Sequence, residues 1–192
     1  MKNLTYIFIF LIFGKYNLFA QVNNITIVDN QTTSLLDAPI GSYFKDVNGA
    51  FNQYLGIWTY QNGIEKITFT IKKITKQFLP KYSNYGDFIV ADYKYIDANG
   101  TIIIDTSILS DNSNSIYDYK IFCSSPTNSI LDCSFKDVPL NKNASIIFSP
   151  VVGNPNQMSY RLVNYGQTVV EGQPFVTAAF SIPNNITVTK EP

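Results

Sequence analysis

Gly56-Ile57-Trp58-Thr59-Tyr60-Gln61-Asn62-Gly63-Ile64-Glu65-Lys66-Ile67-Thr68-Phe69-Thr70-Ile71-Lys72 reads as a β-hairpin. Ile67, Phe69 and Ile71 alternate with Thr68, Thr70 and Lys72, a period of two that turns one strand face toward a core. Asn62-Gly63 joins the arms, because both residues tolerate the positive φ angles of a tight hairpin turn. Gly56 enters the first arm without a Cβ, and Trp58, the only tryptophan, brings a ring that must find a buried place.

The same logic repeats downstream. Tyr85 to Ile96 and Thr101 to Thr106 flank Asp97-Ala98-Asn99-Gly100, and Tyr117–Ser124 and Leu131–Lys136 flank Pro126-Thr127-Asn128-Ser129. A turn centred on Asn128 sets Cys123 opposite Cys133 on antiparallel arms, at a spacing a disulfide can bridge. Further strands are expected at 144–150, 158–164, 167–171, 175–182 and 186–189, separated by Gly, Asn and Pro clusters. Residues 21–42 hold an extra strand and an extended lead-in. Upstream of the hairpin, Phe44, Val47, Phe51 and Tyr54 fall at helical spacing after Ser42, a suitable N-cap, and predict one short helix. Regular strands without intervening helices predict an all-β fold, a sandwich or a barrel, behind that helix.

The N-terminus reads as an export signal. Lys2 precedes the apolar run Leu4 to Phe13, and Ala20 stands before Gln21 at a plausible cleavage point. The run is too short to span a bilayer, so no stable membrane insertion is expected. Residues 1–20 are therefore taken as a signal peptide and 21–192 as a single domain, periplasmic or extracellular, ample for a real core. In an exported chain the two cysteines read as a disulfide, Cys123 to Cys133, worth about 2–3 kcal/mol in the chain-entropy model.

Composition excludes several kinds of chemistry. The chain has no histidine, which removes Ser–His–Asp and Cys–His nucleophiles and imidazole metal ligands. No metal and no cofactor is expected, since neither a phosphate-cradling glycine loop nor a dinucleotide fingerprint is present. A carboxylate pair could be drawn from Asp87, Asp92, Asp97 and Asp105, although turns and solvated strand faces account for these residues equally. The oxygen-rich loop Asp111-Asn112-Ser113-Asn114-Ser115 lacks the glycine and glutamate of a calcium-binding EF-hand. Basic residues are scattered and include a single arginine, Arg161, so no nucleic-acid-binding stripe exists. No sequence feature points to a particular protein partner or an enzyme activity.

Aromatic residues are what remain. Trp58, Tyr60, Phe69, Phe88, Tyr93 and Tyr95, with Tyr117 and Tyr119, fall on consecutive strands. They either line an apolar cavity for a small ligand or pack as the core itself, since small barrels are often filled by their own side chains. The segment Gly56-Ile57-Trp58 resembles the Gly-x-Trp opening of lipocalin-type calycin barrels. That resemblance implies an antiparallel β-barrel of about eight to ten strands behind the short helix, and an arginine from a late strand covering the tryptophan at the closed barrel end, a part only Arg161 can play here. The segments 42–48, 55–60 and 183–190 also resemble a family of uncharacterised exported proteins from Bacteroidota, which implies location and architecture but no activity. Two functions follow as expectations. One is an exported, non-enzymatic binding module holding a small apolar or amphipathic ligand in its barrel. The other is an envelope interaction or structural protein that works through its surface around a filled barrel.

Overall fold

The structure is a computed structural model in which residues 25–34, 36–107, 116–123, 125–164 and 179–192 are described. The expected export signal, the oxygen-rich loop, the strand at 167–171 and the first half of that at 175–182 lie outside the described residues; residues 179–182, the second half of the latter, form no strand.

Eleven strands are present among them: β1 (Ile27–Asp29), β2 (Tyr43–Lys45), β3 (Gly56–Asn62), β4 (Glu65–Leu79), β5 (Asn84–Ile96), β6 (Ile102–Asp105), β7 (Ile121–Cys123), β8 (Leu131–Asp137), β9 (Lys142–Val151), β10 (Asn154–Val163) and β11 (Ile186–Lys190). Eight of them close on themselves in the order β3-β4-β5-β7-β8-β9-β10-β11, every pairing antiparallel, with β11 returning to β3. This is an up-and-down, lipocalin-like barrel, the fold implied by the Gly56-Ile57-Trp58 resemblance. Closure leaves no open sheet edge within the barrel.

One strand carries more than its share. The same edge of β5 pairs with β2 at Tyr85 and Gly86, with β7 at Ile89 to Ala91, and with β6 at Lys94 to Ile96. Thus β1 and β2, which are parallel, extend the sheet beyond the barrel at its lower end, while β6 does so at the upper end. A register shift in β4 between Ile74 and Gln77 bends the long β4–β5 ribbon where it leaves the wall.

The turns explain the hairpins. Asn62 faces Glu65, so the first hairpin turns on Gly63-Ile64, with Gly63 at φ +62°, one residue later than Asn62-Gly63 suggests. In the second, the Asp97 carboxylate accepts the N–H groups of Asn99 and Thr101, and Gly100 supplies a positive φ. In the third, Asn128 and Ser129 both adopt positive φ, and Cys123 and Cys133 pair in register with Cα atoms 4.1 Å apart. The expected disulfide is formed, and both cysteines are buried in the core.

Two expectations need correction. Residues 42–54 form no helix. Tyr43–Lys45 is a strand, and Ala50 to Tyr54 make successive turns in which Asn52 N–H reaches Gly49 O and Tyr54 N–H reaches Phe51 O. Gly49 at φ +68° cannot continue a right-handed helix, and Val47, which a helix would have turned inward, is 54% exposed. The third hairpin's first arm is also shorter than expected. Tyr117 lies in a 3₁₀ turn, Ile116–Asp118, which packs with Tyr119 beside the outer face of β5.

Candidate functional site

Alternation along each wall strand decides what the barrel contains. Trp58, Ile67, Phe69, Ile71, Ile89, Ala91 and Tyr93 point inward from β3 to β5, and Phe135, Ile146, Phe148, Met158, Tyr160 and Val188 meet them from the opposite wall. Phe69 lies edge-on to Phe148 and Tyr160, with ring centroids 5.4 and 4.9 Å apart, and Tyr93 meets Phe135 at 5.2 Å. These rings pack against one another inside the barrel.

Of the six aromatics expected to line a cavity, Trp58, Phe69 and Tyr93 are therefore core. Tyr60 and Tyr95 are half-buried and packed on that core at the upper end, where the Tyr95 hydroxyl donates to Glu65. Burial and the Glu65 carboxylate push the Tyr95 phenol up to about 12. Phe88 departs from the group. It lies outside the barrel in a second cluster with Leu79, Val90, Ile116 and Phe122, because its position on β5 is one residue out of phase with Ile89.

Described residues pack at both ends. At the upper end Ser181 gives its N–H and hydroxyl to Asp137, Tyr160 donates to Pro183 O, and Lys142 binds Ala179 O while lying 3.8 Å from the Phe180 ring centre. At the lower end Phe51 and Tyr54 plug the barrel, and the Trp58 indole N–H donates to Tyr54 O at 2.7 Å. The cation over Trp58 is Lys190, with Nζ 5.4 Å from the ring. Arg161 does not cover the indole, correcting the lipocalin-based expectation: it points out of the wall, since Tyr160 and Leu162 on either side of it face inward. Lys190 pairs with Trp58 in register, and its stem runs where a Cβ on Gly56 would sit, 3.0 Å from Lys190 Cε. The glycine of the motif thus makes room for the cation.

An ionic cluster at the lower end was missed in the sequence. Lys73 Nζ lies 2.9 Å from Asp46 and 3.3 Å from Asp87, and both carboxylates are essentially without solvent exposure. Asp87 also accepts the Tyr43 hydroxyl at 2.5 Å and the N–H groups of Asp46 and Lys76 at 3.0 Å. Burial by itself would raise the Asp87 carboxyl; the hydrogen bonds from Tyr43, Asp46 and Lys76 and the charge of Lys73 outweigh it and hold the group below its ordinary value. Tyr43 is pushed up to about 12 by burial and by Asp87. A signal did exist: Lys73 continues the inward series Ile67, Phe69, Ile71, and a lysine in that phase requires a buried anion.

The other aspartates do not converge with Asp87. Asp92 lies near Lys72 and accepts from Thr106, Asp105 pairs with Lys94, and Asp97 shapes its turn. Among the described residues no cluster of His, Cys, Asp or Glu is arranged to hold a metal ion, and no helix is long and apolar enough to cross a membrane.

Concavities lined by described residues open on the outside. One of about 430 Å³ is lined by Ile116, Tyr117, Tyr119, Phe122, Lys120 and Lys136, together with Ser134 and Asn143. A second, of about 350 Å³, lies over β9 and β10, and a third, of about 240 Å³, sits beside Phe44, Phe88 and Asp87. The first combines aromatic faces, one of them on the 72% exposed Tyr117, with amine, hydroxyl and carboxamide groups.

No curated protein and no solved structure matches the chain. A family model does match, over residues 1–191, and the chain belongs to that family, described as Family of unknown function (DUF6705).

Proposed function

We propose that this protein is an exported, non-enzymatic interaction module that works through the outer wall of a filled barrel. One observation carries the reading: the lumen is occupied by Trp58, Phe69, Tyr93, Phe135, Phe148 and Tyr160, whereas the grooves that mix apolar and polar side chains open outward. Ligand pockets combine an apolar floor with a few placed polar groups, and among the described residues that combination occurs outside. The buried disulfide and the apolar N-terminal segment support export. Asp46 and Asp87 support a structural rather than a catalytic role, because Lys73 and backbone N–H groups already hold them out of solvent.

Trp58 provides the test. It is the only tryptophan and sits in the lumen, so its emission reports any ligand that enters. A panel of fatty acids, polyenes and small aromatics should leave that emission unchanged. Saturable quenching or a spectral shift would refute the reading. In the complementary arm, Tyr117→Ala with Lys136→Ala should weaken retention of the protein on envelope fractions of its host, with its circular dichroism intact.

A further inference from the structure

We infer that the groove over β9 and β10 is a binding site for a small organic anion with an apolar flank, Arg161 being its anchor. This deepens the surface reading and rests on it. Arg161 and Ser159 on β10 lie opposite Ile147 and Ser149 on β9, so four outward side chains form one patch, bordered by Ile130 and Asn185. The groove holds about 350 Å³.

Most of its polar side chains have no partner among the described residues. Arg161 is the only arginine of the chain, and it makes no ion pair or hydrogen bond among the described residues. Across the sheet the Asp132 carboxylate lies beyond Ile147 and is engaged by the Ser145 hydroxyl. Ser149 offers a hydroxyl and Asn185 a carboxamide, neither of them bonded to the described residues, while Ser159 donates to Ser149 O. A guanidinium presents a planar fork of N–H groups that matches a carboxylate bidentately, and neighbouring hydroxyl and amide donors complete an anion's shell. Ile130, 45% exposed, and Ile147 add an apolar wall on which a short hydrocarbon can lie. An inorganic anion would use only half of these features; a fatty-acid-like carboxylate uses all.

The test is an amide NMR titration of the mature, oxidised protein with sodium octanoate, octanol and inorganic phosphate. Octanoate should shift the amides of Ser149, Ser159 and Arg161 saturably, and octanol and phosphate should each bind at least about tenfold more weakly, as expected when one of two contributions is lost. Arg161→Gln should weaken octanoate by about tenfold, and Arg161→Lys should recover only part of that, since an ammonium lacks the fork. Ile147→Ser should bring octanoate down toward acetate. Each variant sits on an exposed face, and circular dichroism confirms folding. Equal binding of octanol, or unaltered affinity in Arg161→Gln, overturns the site. Absence of any shift overturns it and leaves the surface reading intact, whereas shifts confined to Trp58, Phe69 and Tyr93 overturn both.

Discussion

Replacing Asp87 by asparagine should cost this protein about 3 kcal/mol, a figure built from the loss of acceptors for buried donors. Asp87 Oδ1 accepts from Tyr43 and Lys76 N–H, and Oδ2 accepts from Asp46 N–H and faces Lys73. An asparagine has one oxygen for these two sides. With its NH₂ toward Oδ2 it meets the Asp46 N–H and the Lys73 ammonium; with its NH₂ toward Oδ1 it meets the Lys76 N–H, although the Tyr43 hydroxyl can rotate to accept. Either way one backbone N–H loses its acceptor and opposes a second donor, at about 1–3 kcal/mol. Lys73 also loses one of its two anions, partly offset because Asp46 and Asp87 no longer repel. Urea denaturation at neutral pH with the disulfide intact reads the sum, a midpoint lower by about 1–2 M at a slope of about 2 kcal/mol/M.

The acid dependence separates this account from a generic packing defect. The folded Asp87 carboxyl is held below its ordinary value, so its contribution is full above about pH 4 and disappears as pH falls through the depressed value. The gap between parent and Asp87→Asn should therefore close on acidification, because a protonated aspartic acid resembles the amide. A variant within about 0.5 kcal/mol of the parent at neutral pH, or a gap independent of pH, would be incompatible with Asp87 acting as the buried acceptor.

Three further outcomes follow from the same structure. Reducing the Cys123–Cys133 bond, whose partners lie 10 residues apart, should cost about 3 kcal/mol in the chain-entropy model, read as a lower urea midpoint in reductant. Gly56→Ala should lower stability by about 2 kcal/mol, since φ is +119° and the new Cβ meets the Lys190 stem; an unchanged melting temperature would contradict the assigned backbone. Tyr43, Tyr54 and Tyr95 are each pushed up to about 12, so the stability they contribute is complete below about pH 10 and is lost as pH rises toward 12. Tyrosinate absorbance should appear together with unfolding over that interval; phenols titrating near pH 10 in a folded barrel would be inconsistent with their burial.

The strands were legible where local chemistry and burial agree. Ile67, Phe69 and Ile71 announce an inward face, and the spacing of Cys123 and Cys133 about Asn128 announces both a hairpin and its crosslink. The segment before the hairpin was not, because Phe44, Phe51 and Tyr54 are buried for a reason that is not helical. They follow a strand and a set of turns whose path is fixed by Asp46, which donates its N–H to Asp87 and accepts from Phe51. Such a contact spans 41 residues and leaves no periodic trace. The tryptophan's cover was misread for a similar reason. Arg161 has the right charge, but its phase on β10 turns it outward, and Lys190 is brought across by the closure of β11 on β3. Which aromatics fill the lumen also depends on strand phase: five of the six candidates face in or cap an end, and Phe88 faces out.

On the proposed reading, this barrel carries its own side chains where a lipocalin-type barrel would carry a ligand. Native mass spectrometry of the protein purified from its own host tests it most directly, by comparing the native with the denatured mass. Export, signal cleavage near Ala20 and the Cys123–Cys133 bond should together give the mass of residues 21–192 less two hydrogens, the same in both measurements when any loosely held surface ligand has been washed away. A small molecule that survives washing in the native spectrum, persists in Arg161→Gln and disappears on denaturation would place a ligand in the lumen and contradict the account.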